Sequence, residues 1–217
     1  FRVPREKISL TPCAASETFK PLSKEEALEK ASGLRIPKKF LLFVGTLEPR
    51  KNLKTLLNSF HSISKKILDL HLVIVGGEGW GKLDLRRYPE AMRERIHFLG
   101  YVEEEELLAL YNLAEVFVFP SLYEGFGIPP LEAMQCGCPL IASRRSSLPE
   151  VIGNAGTLIN PEHPEEIQEA VLMILEDTKK KEQFSEKGRE RARRFSWSAS
   201  AESALTTLEK ISNSMGS

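Results

Sequence analysis

The chain has little cysteine: three in 217 residues, Cys13, Cys136 and Cys138, an odd number with no framework spacing. A disulfide-stapled secreted domain is excluded, and all three read as reduced thiols. Cys136-Gly-Cys138 has no second Cys or His cluster to complete a four-ligand site, so these are small core residues at a helix-to-strand turn, and no metal is expected. Charge of either sign in excess is missing too. Thirty Lys and Arg balance thirty Asp and Glu, which argues against the basic surface used for nucleic acid. The basic run "KGRERARR" reads as a solvated helix face. Long apolar runs are absent: "FLLFV" and "HLVIVGG" are of strand length, far below the roughly 20 residues that span a bilayer, so no transmembrane segment is encoded. The N-terminus lacks the charged start and apolar stretch of a secretory signal, and no Met precedes Phe1, so the expectation is a cytoplasmic piece of a longer protein.

What is present is an alternation. Strand-length apolar runs at Phe40–Val44, His71–Val75, Ile96–Leu99, Val116–Phe119, Pro139–Ala142 and Thr157–Ile159 are separated by segments of helical period. The helices are expected at Leu53–Ser64, Leu83–Arg93, Glu103–Leu113, Pro129–Gln135, Leu148–Ile152 and Pro164–Asp177, with two more near Lys179–Arg194 and Trp197–Ile211. Ser23-Lys-Glu-Glu26 has capping-box spacing, and Pro164 followed by two glutamates suits a first helical turn. The pattern predicts an α/β fold: a Rossmann-like, doubly wound parallel sheet with helices on both faces. Residues 1–22 offer one short strand, Ile8–Thr11, and a Pro-bounded connection. Residues 23–195 form the body, and 196–217 a C-terminal helix with a loose tail.

Ligands of open α/β sheets bind beyond the carboxyl ends of the strands. Two strand-end loops carry suitable chemistry. In "SLYEGFGIPPLEAMQCGCP", Ser121 to Pro139, the chain turns at Gly125 and Gly127, and Pro129 and Pro130 then start a helix without sacrificing a helical hydrogen bond. Free N–H groups and the positive helix end make an anion site, with phosphate the expected guest. Glu124 and Glu132 must face another part of the ligand. A carboxylate accepts two O–H donors of a vicinal diol, so the predicted ligand has phosphate and sugar parts. Glu132, placed in the first helical turn, is also favoured there by the dipole alone. In "VGTLEPRKNL", Val44 to Leu53, Arg50 and Lys51 stand before a helix start, where cations oppose the dipole. Docked phosphates would explain that misfit by turning both into charge-assisted donors. A third loop, "VIVGGEGWGK", is glycine-rich but fails the G-x-G-x-x-G spacing, and reads as a flexible rim.

These residues resemble the donor-binding, C-terminal domain of a retaining family 4 glycosyltransferase, one half of a two-domain B-type glycosyltransferase fold. The resemblance rests on "SLYEGFGIPPLEAMQCGCPLIAS", similar to the family's E-x7-E motif, on "VGTLEPRKNL" and on "HFLGYVEEEELLALYNLAEVFVFPS", together covering Phe40 to Gly156. It implies that Lys51 and Arg50 neutralise the donor diphosphate beside Gly45 and Thr46. Glu132 would bind the ribose, and Glu124 would face the donor sugar or hold Lys51. The amides of Phe126, Gly127 and Ile128, after Gly125, would contact sugar hydroxyls and phosphate, and the backbone at Tyr101 and Val102 would line the base. The family needs no metal or other cofactor for leaving-group stabilisation, and retains configuration without an obvious protein nucleophile. Two departures stand out. Thr46 occupies the place where many relatives carry Arg, which shifts the phosphate contacts onto Arg50 and Lys51. The acceptor-binding N-terminal domain, with its histidine near the donor sugar, is missing. Residues 1–22 then resemble its last strand and the interdomain connection, and 196–217 the helix crossing back. "GTLEPRKN" is similar to the mannosyltransferases of bacterial polysaccharide assembly, which favours a GDP-mannose donor, a glycan or lipid-linked acceptor and peripheral attachment at the inner membrane face. A nucleotide-sugar epimerase, or a non-catalytic interaction module on the same fold, are the competing readings.

Overall fold

Six strands form one parallel sheet: β1 Phe40–Val44, β2 His71–Val75, β3 Ile96–Gly100, β4 Val116–Phe119, β5 Leu140–Ser143 and β6 Thr157–Ile159. The structure, a computed structural model, describes residues 3–80 and 83–215, so Gly81 of the glycine-rich loop lies outside the described residues. The strand order is β3-β2-β1-β4-β5-β6. The chain thus winds outward one way from β1 and then returns to wind the other way from β4, as the doubly wound expectation requires.

Continuous apolar runs become central strands because both sheet faces are covered. β1 is buried along its whole length, with Phe40, Leu42 and Val44 in one apolar cluster and Leu41 and Phe43 in the other. The period of two thus feeds two cores. On one face pack α2 (Leu53–Lys66) and α7 (Pro164–Glu176), through residues such as Leu57, Phe60, Ile167 and Ile174. The other face is covered chiefly by α4 (Glu104–Leu113), α5 (Ile128–Cys136) and the short α6 (Leu148–Ile152), with α1 (Lys24–Lys30) against α4 and α8 (Thr178–Ala192) against α5. Each fully buried Leu or Phe here contributes about 1.5–3 kcal/mol by leaving water.

The cap signals hold. Ser23 Oγ accepts the Glu26 amide at 3.2 Å while the Ser23 amide donates to Glu26 Oε2 at 2.8 Å, and α7 starts at Pro164. Three expectations need correction. The helix expected at Leu83–Arg93 is broken into a 3-10 turn, Leu85–Arg87, and the four-residue α3, Glu90–Arg93. Pro89 is the reason: it has no N–H to continue the first turn, and it pushes Tyr88 to an extended conformation. Residues 8–11 form no strand; they have no strand beside them to complete a ladder. They run instead along α9 (Trp197–Met215), where Ser203 Oγ donates to the Leu10 carbonyl at 2.9 Å and Ser9 meets Thr207 at 2.7 Å. Nor is the basic run wholly solvated, since Arg191 donates to the Val151 carbonyl at 2.9 Å and stacks over Phe195. No helix among the described residues is long and apolar enough to cross a membrane.

Candidate functional site

Because β1 and β4 are neighbours at the point where the winding reverses, the loops that follow them meet at the carboxyl edge of the sheet. The loop after β1 begins at Gly45. A Cβ built there would lie 3.3 Å from Cδ and Cε of Lys51, so the missing side chain leaves room for the lysine stem. Pro49–Lys51 form a separate 3-10 turn ahead of α2. Asn52, left-handed at φ 57°, then makes the corner. Its Nδ2 donates to the carbonyls of Pro120 and Pro161, and its Oδ1 accepts from Thr55 Oγ1 at 2.7 Å. One side chain thereby ties together the loops after β1, β4 and β6. The Leu122 amide donates to the Arg50 carbonyl at 2.7 Å, a direct backbone bond between the two site loops.

Lys51 is 7 % exposed. A buried ammonium needs a partner, and Lys51 has Glu124 Oε1 at 2.7 Å, with the Phe119 ring face 4.8 Å from Nζ. Glu124, itself 8 % exposed, also accepts from Ser121 Oγ at 2.6 Å and, through Oε2, from Arg50 Nη1 at 3.0 Å. Arg50 is held from its other side by Glu48, Nε to Oε2 at 2.7 Å. Glu124 thus holds both Lys51 and Arg50. The misfit of two cations before a helix start is relieved by this carboxylate.

The loop after β4 is fixed from behind by the loop after β5. Ser146, at φ 52°, accepts the Glu124 amide at 2.9 Å, and Ser147 Oγ donates to the carbonyls of Glu124 and Phe126, each at 3.0 Å. Gly125 is exposed, Phe126 packs edge-on against Phe195 at 5.7 Å, and Gly127 is the left-handed residue (φ 105°) that opens α5. A Cβ on Gly127 would sit 2.7 Å from Leu148 Cδ2, which the packing does not allow. Ile128, at the helix start, is exposed.

α5 begins at Ile128, so Glu132 is its fifth residue and not, as the sequence suggested, in the first turn. The dipole effect has faded there, and another cause must put the acid at this position. Its Oε2 accepts from the hydroxyl of Tyr111 on α4 at 2.9 Å. Burial raises the Glu132 carboxyl above the ordinary range; the Tyr111 hydrogen bond acts the opposite way, and Glu104 adds a smaller upward push. Glu132 is not part of the Lys51–Glu124 cluster. Thr46 is exposed at the front of the loop after β1, while Tyr101 is exposed and Val102 buried after β3. Beside them a cleft of about 650 Å³ opens between Leu47, Gly79, Leu83, Phe98 and Gly100.

Tyr111, Ser121, Asn52 and the Ser146-Ser147 pair were not foreseen. Asn52 before an apolar-periodic helix and Ser147 before Leu-Pro-Glu carry a cap-like signal, whereas Tyr111 lies in an ordinary amphipathic helix pattern and gives none.

A doubly wound parallel sheet, with a buried Lys–Glu pair and an Arg at its switch point, defines an α/β domain of the Rossmann-like kind. More particularly, residues 24–191 match the family described as Glycosyl transferases group 1, and the chain belongs to that family. It is 37 % identical over 201 residues to O-antigen chain mannosyltransferase B of Escherichia coli, covering 91 % of this chain and 53 % of that protein. It is 30 % identical over 216 residues to the serotype-specific mannosyltransferase WbdA of Escherichia coli, covering 96 % of this chain and 26 % of the other. Sucrose-phosphate synthase from Thermosynechococcus elongatus superposes with a TM-score of 0.80 at 28 % identity, over 94 % of this chain and 53 % of that one. The chain therefore spans about half, or less, of the length of these relatives, and its fold is the one found in the B-type glycosyltransferases.

Proposed function

We propose that this chain is the donor-binding half of a retaining hexosyltransferase. It takes a nucleoside-diphosphate sugar, GDP-mannose being favoured, and passes the hexose to a glycan or lipid-linked acceptor presented by a preceding domain. The observation that carries this reading is the buried Lys51, fixed by Glu124 beside Arg50 at the switch point. Two cations held in place there would meet the diphosphate without reorganising, which is where transition-state charge develops as the sugar–phosphate bond breaks. The α5 start, with the amides of Phe126, Gly127 and Ile128, would supply further donors to phosphate and sugar hydroxyls. Glu132 would accept the ribose hydroxyls, and the cleft beside Tyr101 and Val102 would hold the base.

In the proposed reaction the bond from C1 of the sugar to the phosphate oxygen breaks and the pair leaves with the nucleoside diphosphate. The acceptor hydroxyl adds to C1 on the same face, and its proton goes to the departing phosphate oxygen. Lys51 and Arg50 stabilise that oxygen, and Glu124 acts by holding both cations, without bonding to C1. Because protein cations do this work, the reaction is proposed to need no metal. The mannosyltransferase names of the relatives above favour mannose.

The test uses the full-length protein with GDP-mannose and a lipid-linked glycan, with product configuration read by NMR and the rate measured with and without EDTA. An α-configured product and a rate unchanged by EDTA are expected. An inverted product, a rate abolished by EDTA, or an epimerised sugar nucleotide in place of transfer would contradict the reading.

A further inference from the structure

We propose that Tyr111 is a positioning residue that aims the Glu132 carboxylate at the ribose hydroxyls of the donor nucleotide. This rests on the donor-site reading above. Tyr111 is among the largest wholly buried side chains, and a buried phenol without a partner is costly. Its ring is wedged edge-on between Phe19 at 5.7 Å and Phe117 at 5.3 Å, so the direction of its hydroxyl is set by the core and not by the ligand. That hydroxyl has Glu132 Oε2 as its partner at 2.9 Å. Among the described residues the Tyr111 hydroxyl is the one hydrogen-bond partner of the Glu132 carboxylate, which leaves Oε1 for a donor from the ligand.

The same contact bears on charge. Burial, then Glu132 itself, pushes the Tyr111 phenol well above its ordinary range, so it remains a donor throughout the usable pH range. Burial drives Glu132 toward its neutral form, and Glu104 of α4 adds to that push. Burial pushes up the thiols of Cys136 and Cys138, the other titratable groups facing this pair, Cys138 to about 12, so both stay neutral. The phenol is the group in this pocket that favours the carboxylate, and only the carboxylate accepts two hydroxyl donors.

The experiment is calorimetric titration of the parent chain and Tyr111→Phe with GDP and with 2′,3′-dideoxy-GDP, at a series of pH values from about 5 to 8; UDP or ADP pairs replace these where the parent prefers another base. The parent should favour the ribose form by about tenfold, the scale of a hydrogen bond to a charged group. In Tyr111→Phe the ring contacts persist, affinity for the dideoxy form stays, the ribose preference falls toward unity, and its pH midpoint moves upward. A purely packing role for Tyr111 would not move that ratio or that midpoint. Glu132→Gln provides the second arm: it loses the preference and its pH dependence together, and adding Tyr111→Phe in that background changes neither further. A parent-like preference and midpoint in Tyr111→Phe would overturn this proposal alone. A parent chain that binds no nucleoside diphosphate would overturn the donor-site reading and this proposal with it.

Discussion

Glu132 is a carboxylate that the fold does not favour and that the proposed donor site would use. Its raised pKa means that ionisation in the folded state costs stability relative to the unfolded chain. For an acid of this kind the penalty is fully present above the folded value and fades as pH falls through it toward the ordinary value. Glu132→Gln removes the penalty while keeping an acceptor for the Tyr111 hydroxyl. The thermal midpoint at pH 7–8 should therefore rise by about 2 °C, with no gain near pH 4, while nucleoside-diphosphate affinity falls. Scanning calorimetry at the two pH values, beside a binding titration, checks both halves; a variant that melts lower at pH 7–8 would contradict the account. Lys51 and Glu124 are different, since each holds the other inside the protein, and breaking such a pair from one side costs about 3–5 kcal/mol. What the sequence disclosed at this scale were the residues whose types were out of place: two acids around a glycine turn, two cations before a helix. The partners of those residues, Tyr111 for Glu132 and Ser146 for the Glu124 amide, come from elements 21 and 22 residues away, and nothing in their local pattern marks them.

The elements were legible where burial is two-sided. β1, β2 and β4 occupy the spans expected from apolar runs alone, and β3 ends one residue later, at Gly100. Legibility failed where an element depends on a neighbour or on one proline: Ile8–Thr11 has no strand to pair with, and Pro89 divides the expected Leu83–Arg93 helix. The first residue of β2 and the second of β3 also make a contact that no motif predicts, His71 Nδ1 to His97 Nε2 at 2.9 Å. Burial lowers the pKa of both rings; the neighbouring His97 and Arg95 lower His71 further, against an upward push from Asp69. A histidine held neutral in the fold binds fewer protons than it does unfolded, so stability is lost as pH falls below the ordinary value of 6.5. Urea unfolding from pH 7.5 down to about 5 should show this loss, and His71→Asn together with His97→Gln should flatten it. Loss of equal size in the double variant would assign the effect to other groups. The pair sits at the amino-end side of the sheet, opposite the candidate site, so the double variant is expected to bind ligand as the parent does.

At the scale of the whole molecule, strand order 3-2-1-4-5-6 is what turns two distant sequence motifs into one site. The loops bearing Lys51 and Glu124 are separated by 73 residues, yet they follow adjacent strands and are joined through Asn52 and the Leu122 amide. The alternation of strands and helices made the doubly wound sheet readable but not that adjacency, because a sheet with the same alternation can place its first strand beside its third instead of its fourth. The acceptor side was not readable in the same way: this chain covers 53 % of O-antigen chain mannosyltransferase B, and acceptor recognition is proposed to lie in what precedes it.

The central claim is that Lys51 and its carboxylate form a diphosphate site, and calorimetric titration of this chain with GDP, UDP and ADP, with and without magnesium, tests it most directly. The account predicts one-to-one binding of a nucleoside diphosphate that does not require magnesium. Removal of a charged partner from such a site costs about 2–5 kcal/mol, so Lys51→Ala should weaken binding at least tenfold. Affinity unchanged in Lys51→Ala, or no binding of any of the three by the folded parent chain, would contradict it.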